Sequence, residues 1–182
     1  MSTRGGSASA LLVIDMQVGV MSGCVDAHGT LVRTLRAVDR ARRVGVAVIW
    51  VQDEQDFPRH SPEWELAPPL APQPGETRIF KAYRDAFAGT ELSAVLVAAN
   101  VTRLLLAGAQ SDFCVRTAGQ SAAARGYDVT LLADAHTTWD AELDGVTIPA
   151  AAIVAHTNRY FAGLRYPSQT FTVEPHDTAR LS

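Results

Sequence analysis

The chain has 182 residues, 47% of them hydrophobic and 19% charged, with a formal net charge of -3 at pH 7. That length accommodates a single domain with a buried core over residues 1–182, and the mild acidity argues against a nucleic-acid partner or a membrane surface. No apolar run approaches the ~18 residues of a membrane span, and the first, ALLVI, stops at Asp15, too short for a secretory leader.

Residues 1–8 are mostly small and polar and read as a flexible terminus. The run ALLVID then looks like a strand buried on both faces, ending at residue 15. Residues 30–43 place Leu31, Leu35, Val38 and Arg42 at helical spacing, and Gly45 closes that helix. VAVIWVQ (46–52) is a second buried strand. Residues 53–76 carry six prolines and form a long loop, of the kind that tends to be functional. TRIFK (77–81) is a third strand, and residues 90–100 a helix capped by Thr90. RLLLAGA (103–109) is the fourth strand, followed by a helix over 112–125 that ends at Gly126. A fifth strand over 128–134, a helix over 148–160 and a strand over 169–173 complete the chain. This alternation predicts an α/β fold: a three-layer α/β/α sandwich around a mostly parallel, six-stranded, Rossmann-like sheet. Ligands of such sheets sit beyond the carboxyl ends of the strands, which puts Asp15, Lys81 and Cys114 on one edge.

Each of the three has an ordinary reading. Cysteine is commonly a small apolar filler, a strand-end aspartate commonly caps a turn, and lysine is commonly a solvated charge. Cys114, however, follows Asp112 at the start of a helix, where oriented NH groups and the dipole should lower a thiol's pKa. Asp15 can accept and return a proton, and Lys81, flanked by apolar and aromatic residues, needs a nearby anion. Nucleophile, base and orienting cation are thus offered at three strand ends. Cys24, in a loop, shows no chemical partner in the sequence, and both thiols are read as free in a reducing cytoplasm.

LLVIDMQ, FKAYRDAFAGTEL and GAQSDFCVRTA followed by GYDVTLLADAHTT, in that order, resemble the isochorismatase-like cysteine hydrolase superfamily, over about residues 11–158. GAQSDFCV with DAHTT and AHTN is similar to its streptothricin-hydrolase-like branch. The resemblance implies that Asp15, Lys81 and Cys114 form a catalytic triad. It also implies a cis peptide between Ala109 and Gln110, and an oxyanion hole from the backbone NH groups of Gln110 and Cys114. The expected chemistry is cleavage of a carbon–nitrogen bond in a small amide, lactam or ureide through a thioester on Cys114, without a cofactor. Assembly into dimers or tetramers is implied as well.

Nicotinamidases of that superfamily hold a divalent ion with an aspartate and histidines in a D-x-H motif. Here Asp53 is present, but Gln55 stands where the histidine belongs and His60 is isolated, so no metal is expected. Phe57, Trp64, Tyr83, Phe87, Phe113 and Trp139 fall in loops at the same sheet edge and are candidate pocket walls. Asp134 and His136 could border the pocket or serve structure, and His156 and Asn158 read as packing or subunit contacts. Two other functions stay open: vinyl ether hydrolysis of the isochorismatase type, and a catalytically silent binding or assembly module.

Overall fold

The computed structural model describes residues 5–181. Six strands form one parallel sheet: β1 (Ala8–Ile14), β2 (Ala47–Asp53), β3 (Thr77–Lys81), β4 (Val101–Ala109), β5 (Asp128–Thr137) and β8 (Phe171–Glu174). Their order is β3-β2-β1-β4-β5-β8. The chain starts in the middle, winds outward to one edge and then crosses back, so strand order reverses between β1 and β4. That switch point opens a crevice at the carboxyl ends of the two central strands.

The helices are α1 (Val18–Met21), α2 (Ala27–Arg43), α3 (Leu92–Ala98), α4 (Arg116–Ala124) and α5 (Ala150–Gly163). They cover both faces, because a strand such as ALLVI offers apolar side chains both ways. Leu12 and Ile14 pack into one core with Leu104, Leu106, Val115 and Phe161. Leu11 and Val13 pack into the opposite core with Trp50, Leu105 and the α2 face of Ala37, Val38 and Ala41. Among the described residues no helix is long and apolar enough to cross a membrane.

Several elements differ from the sequence reading. Residues 1–4 of the expected flexible terminus lie outside the described residues, while Ala8 is already strand, its NH bonded to Asn100 O. Helix α3 is shorter than 90–100: the Thr90 hydroxyl binds Ala86 O and accepts the Leu92 NH, tying that end to the preceding turn. Strand β5 continues three residues beyond 134, because a register irregularity between Leu106 and Gly108 lets His136 and Thr137 pair with Gly108 and Ala109. A hairpin, β6 (Ala141–Leu143) and β7 (Val146–Ile148), turns at Asp144–Gly145 with positive φ at both residues. Asp-Gly between short runs is the sequence signal for that turn.

Gly108 shows how tightly the switch point is built. It has φ +147°, and an added Cβ would lie 2.2 Å from the Ile14 carbonyl oxygen on β1. Only glycine fits where the two central strands approach at that angle. Gly108→Ala is expected to destabilise the protein by about 3 kcal/mol, read as a lowered denaturation midpoint with unchanged slope.

Candidate active site

Strand β1 ends at Ile14 and the chain turns at once, Asp15 adopting a left-handed backbone (φ 48°) that aspartate tolerates better than most residues. The Asp15 NH still bonds Val51 O at 2.9 Å, which anchors the turn to β2. The side chain of Gln17 then clamps the same corner. It accepts the Asp53 NH at 2.7 Å and donates to the carbonyls of Asp53 and Trp64 at 2.9 and 3.0 Å. This glutamine, the last letter of LLVIDMQ, does the work of a missing strand neighbour.

Lys81 ends β3 in register with Asp53 at the end of β2. Its ammonium reaches along the sheet edge: Nζ lies 2.8 Å from Asp15 Oδ2, 3.3 Å from Asp53 Oδ2 and 3.5 Å from Cys114 Sγ. Only 1% of Lys81 is exposed, and Asp15 and Cys114 are buried as well. Three residues that the sequence places far apart are therefore in contact, and Asp53 joins them as a second counter-ion.

Cys114 sits in a π-helical turn, Ser111–Val115, rather than in the first turn of an α-helix. The Gln110 carbonyl accepts NH groups from both Phe113 and Val115, which closes the turn. Such one-residue expansions recur at functional sites because they re-aim a side chain. The peptide between Ala109 and Gln110 is cis.

Burial decides the electrostatics. It pushes the Cys114 thiol up to about 12, helped by the Asp15 charge and opposed by Lys81 and Arg84. The expectation that the helix start would lower the thiol's pKa is therefore corrected: desolvation is the largest influence and moves it the other way. Burial also raises the Asp15 carboxyl above its ordinary value, more than Lys81 lowers it. Lys81 is raised as well, since the charges of Asp15, Cys114 and Asp53 overcome the desolvation that alone would lower it. A lysine that stays charged thus faces a carboxylate of enhanced basicity and a neutral thiol.

Behind the turn that carries Cys114 runs a buried hydrogen-bond chain that the sequence did not reveal. Asn158 Nδ2 donates to Ala133 O at 2.9 Å, so its Oδ1 faces His136 Nε2 at 3.0 Å and accepts from it. The imidazole proton is then on Nε2, and Nδ1 accepts the Ser111 hydroxyl at 2.7 Å. Burial lowers the His136 pKa and keeps the ring neutral, as this arrangement requires. His136 and Asn158 thus brace Ser111 from the α5 side. Asp134 faces elsewhere, its carboxylate holding the backbone NH and Nδ1 of His176.

A cavity of about 420 Å³ opens above Cys114. Of the candidate aromatic walls, Phe57, Phe113 and Trp139 line it. The other three do not. Trp64, within the long loop, is buried and stacks near Phe80, and Phe87 belongs to the core against Tyr127. Tyr83 is 64% exposed on the surface. Sequence puts these rings in loops at one edge; their direction depends on how each loop folds back on the sheet.

The metal-binding pattern of nicotinamidases does not fit these residues. Asp53 is committed to Lys81 and to the NH groups of Gln55 and Asp56. His60 is exposed and lies 5.4 Å from the Trp64 ring. Among the described residues no group of three or more His, Cys, Asp or Glu is placed to hold an ion.

A doubly wound parallel sheet that gathers a carboxylate, an ammonium and a thiol at its switch point defines an isochorismatase-like α/β protein. The chain belongs to the isochorismatase family, whose domain model matches residues 9–156. A streptothricin hydrolase of Streptomyces noursei is 38% identical over 156 residues, covering 81% of this chain and 54% of that protein. The chain thus spans about half the length of this curated relative. A ureidoacrylate amidohydrolase of Variovorax paradoxus is 26% identical over 190 residues, covering 81% of this chain and 74% of its own. In structure, an isochorismatase from Pseudomonas putida superposes with a TM-score of 0.86 at 28% identity, over 94% of this chain and 90% of that one.

Proposed function

We propose that this protein is a cysteine hydrolase that opens a carbon–nitrogen bond of a small amide, lactam or ureide through a thioester on Cys114. The observation that carries this reading is the contact of Lys81 Nζ with both Asp15, at 2.8 Å, and Cys114 Sγ, at 3.5 Å, two residues that line one cavity. The named amidohydrolases among its relatives support the choice of bond.

Asp15 takes the thiol proton as Sγ attacks the carbonyl carbon, so no free thiolate has to accumulate. The backbone NH groups of Gln110 and Cys114 hold the resulting oxyanion. Asp15 then gives its proton to the departing nitrogen, the C–N bond breaks and the amine leaves a thioester behind. Water, deprotonated by Asp15, attacks that thioester; the S–C bond breaks, the acid departs and the sulfur recovers its proton. Lys81 keeps Asp15 oriented throughout. His136 and Asn158 act only through Ser111, as positioning residues.

Incubation with a panel of small amides, lactams and ureides, followed by intact-mass analysis, tests the reading. The expected result is a mass increase on Cys114 equal to the acyl part of a cleaved compound. Turnover with no adduct under rapid quenching, together with full activity of a Cys114 variant, would exclude the covalent route.

A further inference from the structure

The cavity lining includes a cation, Arg84, that the proposed steps leave idle. Arg84 stands on the segment that follows Lys81 at the end of β3, and that segment is fastened close to the turn that carries Cys114. Asp85 accepts the Ser121 hydroxyl of α4 at 2.6 Å through Oδ2 and the Phe87 NH at 2.9 Å through Oδ1. Its carbonyl accepts the Ala88 NH at 3.1 Å. Helix α4 continues directly from the π-helical turn of Cys114, so the backbone beside Arg84 and the sulfur are tied to one element.

The side chain is aimed as well. Its guanidinium carbon stands 4.8 Å from the centre of the ring of Phe113, the residue next to Cys114, where a cation is attracted to the aromatic face. Nη2 lies 3.9 Å from Asp56 Oδ2, and both of these side chains are more than half exposed. At that separation and exposure water screens most of the attraction, so Asp56 helps to orient the guanidinium without neutralising it.

Arg84 and the sulfur also act on each other. Burial alone would lower the guanidinium; Cys114, by side-chain hydrogen bonding and by charge, raises it, ahead of Asp56 and Asp53. On the thiol, Arg84 joins Lys81 in opposing burial and the Asp15 charge. The two cations differ in their other obligations. Lys81 Nζ, 3.5 Å from Sγ, is buried and shared by Asp15 and Asp53, whereas Arg84 belongs to the cavity wall and keeps most of its charge free.

We infer that Arg84 is a further catalytic residue, whose guanidinium holds the negative charge that Sγ carries when the C–S bond forms and when it breaks. The inference rests on the amide-hydrolase reading for the reaction, but the approach of Arg84 to the sulfur stands on the geometry of the cavity. In acylation the thiol proton passes to Asp15 while the sulfur electron pair makes the bond to the carbonyl carbon. In hydrolysis the water oxygen bonds to the acyl carbon, the water proton passes to Asp15, and the electron pair of the breaking S–C bond returns to Sγ. Until Asp15 delivers that proton the sulfur is anionic, and a charge-assisted contact with an uncommitted guanidinium stabilises it.

Alkylation of Cys114 in the full chain by iodoacetamide, followed by mass at that residue, isolates the contact, because the reagent is uncharged and needs no amide chemistry. Arg84→Met keeps an apolar stem over Phe113 and removes the charge. The expected result is alkylation ~10-fold slower at every pH between about 7 and 9, with the slope against pH unchanged. Arg84→Lys should recover most of that loss, and the gap between Arg84→Met and the parent protein should narrow severalfold from about 20 to about 200 mM salt. On any amide that is cleaved, Arg84→Met should lower kcat ~10-fold and move KM by less than about twofold. Should Arg84→Met fold poorly, Arg84→Gln gives the same comparison with a polar head. Alkylation within about twofold of the parent rate, or a loss that lysine does not restore, overturns the inference. A raised KM with kcat unchanged would make Arg84 a substrate-binding residue and overturns it too. Unchanged alkylation with normal acyl-enzyme formation in Arg84→Met sinks this inference and leaves the reaction. Slowed alkylation in Arg84→Met with no acyl-enzyme from any amide in the parent protein sinks the reaction and leaves Arg84 as the partner of the sulfur.

Discussion

Cys114→Ala is expected to lose at least ~10³-fold in kcat/KM on every amide that the parent protein cleaves, and to acquire no acyl mass. The loss follows from geometry: among the described residues the other free thiol is Cys24, whose Sγ points to the Val20 carbonyl and not to Lys81. The pH dependence carries more information than the loss itself. Because burial holds the thiol near 12, a mechanism that required a preformed thiolate would gain rate tenfold per pH unit through the neutral range. Proton transfer to Asp15 during attack predicts something different. The rate should rise along one acid limb, centred above the 3.8 of an ordinary aspartate because burial raises this carboxyl, and then hold level through neutrality. Alkylation of Cys114 by iodoacetamide, which does need the thiolate, should keep rising well past that plateau. Parallel profiles for turnover and alkylation would remove Asp15 as the base.

Lys81→Met is expected to destabilise the fold by about 3–5 kcal/mol near neutral pH, as well as to abolish activity. Methionine matches the stem, so packing changes little; what is lost is the cation between Asp15 and Asp53, both of them buried. The sign with pH is fixed by the shifts. Asp15, with its pKa raised by the fold, contributes most below 3.8 and loses that contribution as pH climbs through its raised value. Lys81, also raised, supports the fold below 10.5 and withdraws that support only above it. The deficit of the variant should accordingly be greatest near pH 7 and should narrow on acidification, as Asp15 takes up a proton that relieves its isolation. A variant within 1 kcal/mol of the parent protein at neutral pH would show that the ammonium is not structurally required.

The strands were legible because burial on both faces leaves an unmistakable mark: ALLVI, VAVIWV and RLLLAGA are continuous apolar runs closed by turn residues. From their alternation with helices a parallel sheet follows, and from the sheet comes the edge to which Asp15, Lys81 and Cys114 belong. Other parts left weaker traces. The Gln17 clamp and the Ser111–His136–Asn158 chain consist of residues that lie inside quoted motifs, yet which groups they bind is recognisable only once their partners are adjacent. The hairpin over 141–148 did carry its Asp-Gly turn, yet its strands are three residues each, too short for alternation to speak.

What the amino-acid order settled by itself is the layered α/β architecture and the chemical identity of the groups at the strand ends, since hydrophobic periodicity and connection rules act locally and are written in consecutive residues. The tertiary structure alone decided the electrostatics and the walls of the site: that burial raises the Cys114 thiol where the helix start alone would lower it, that Asp53 serves Lys81, that Trp139 opens to solvent while Trp64 and Phe87 are enclosed. Burial and distance set these properties. Both are sums over segments that are remote in the chain, and no local stretch of sequence contains them.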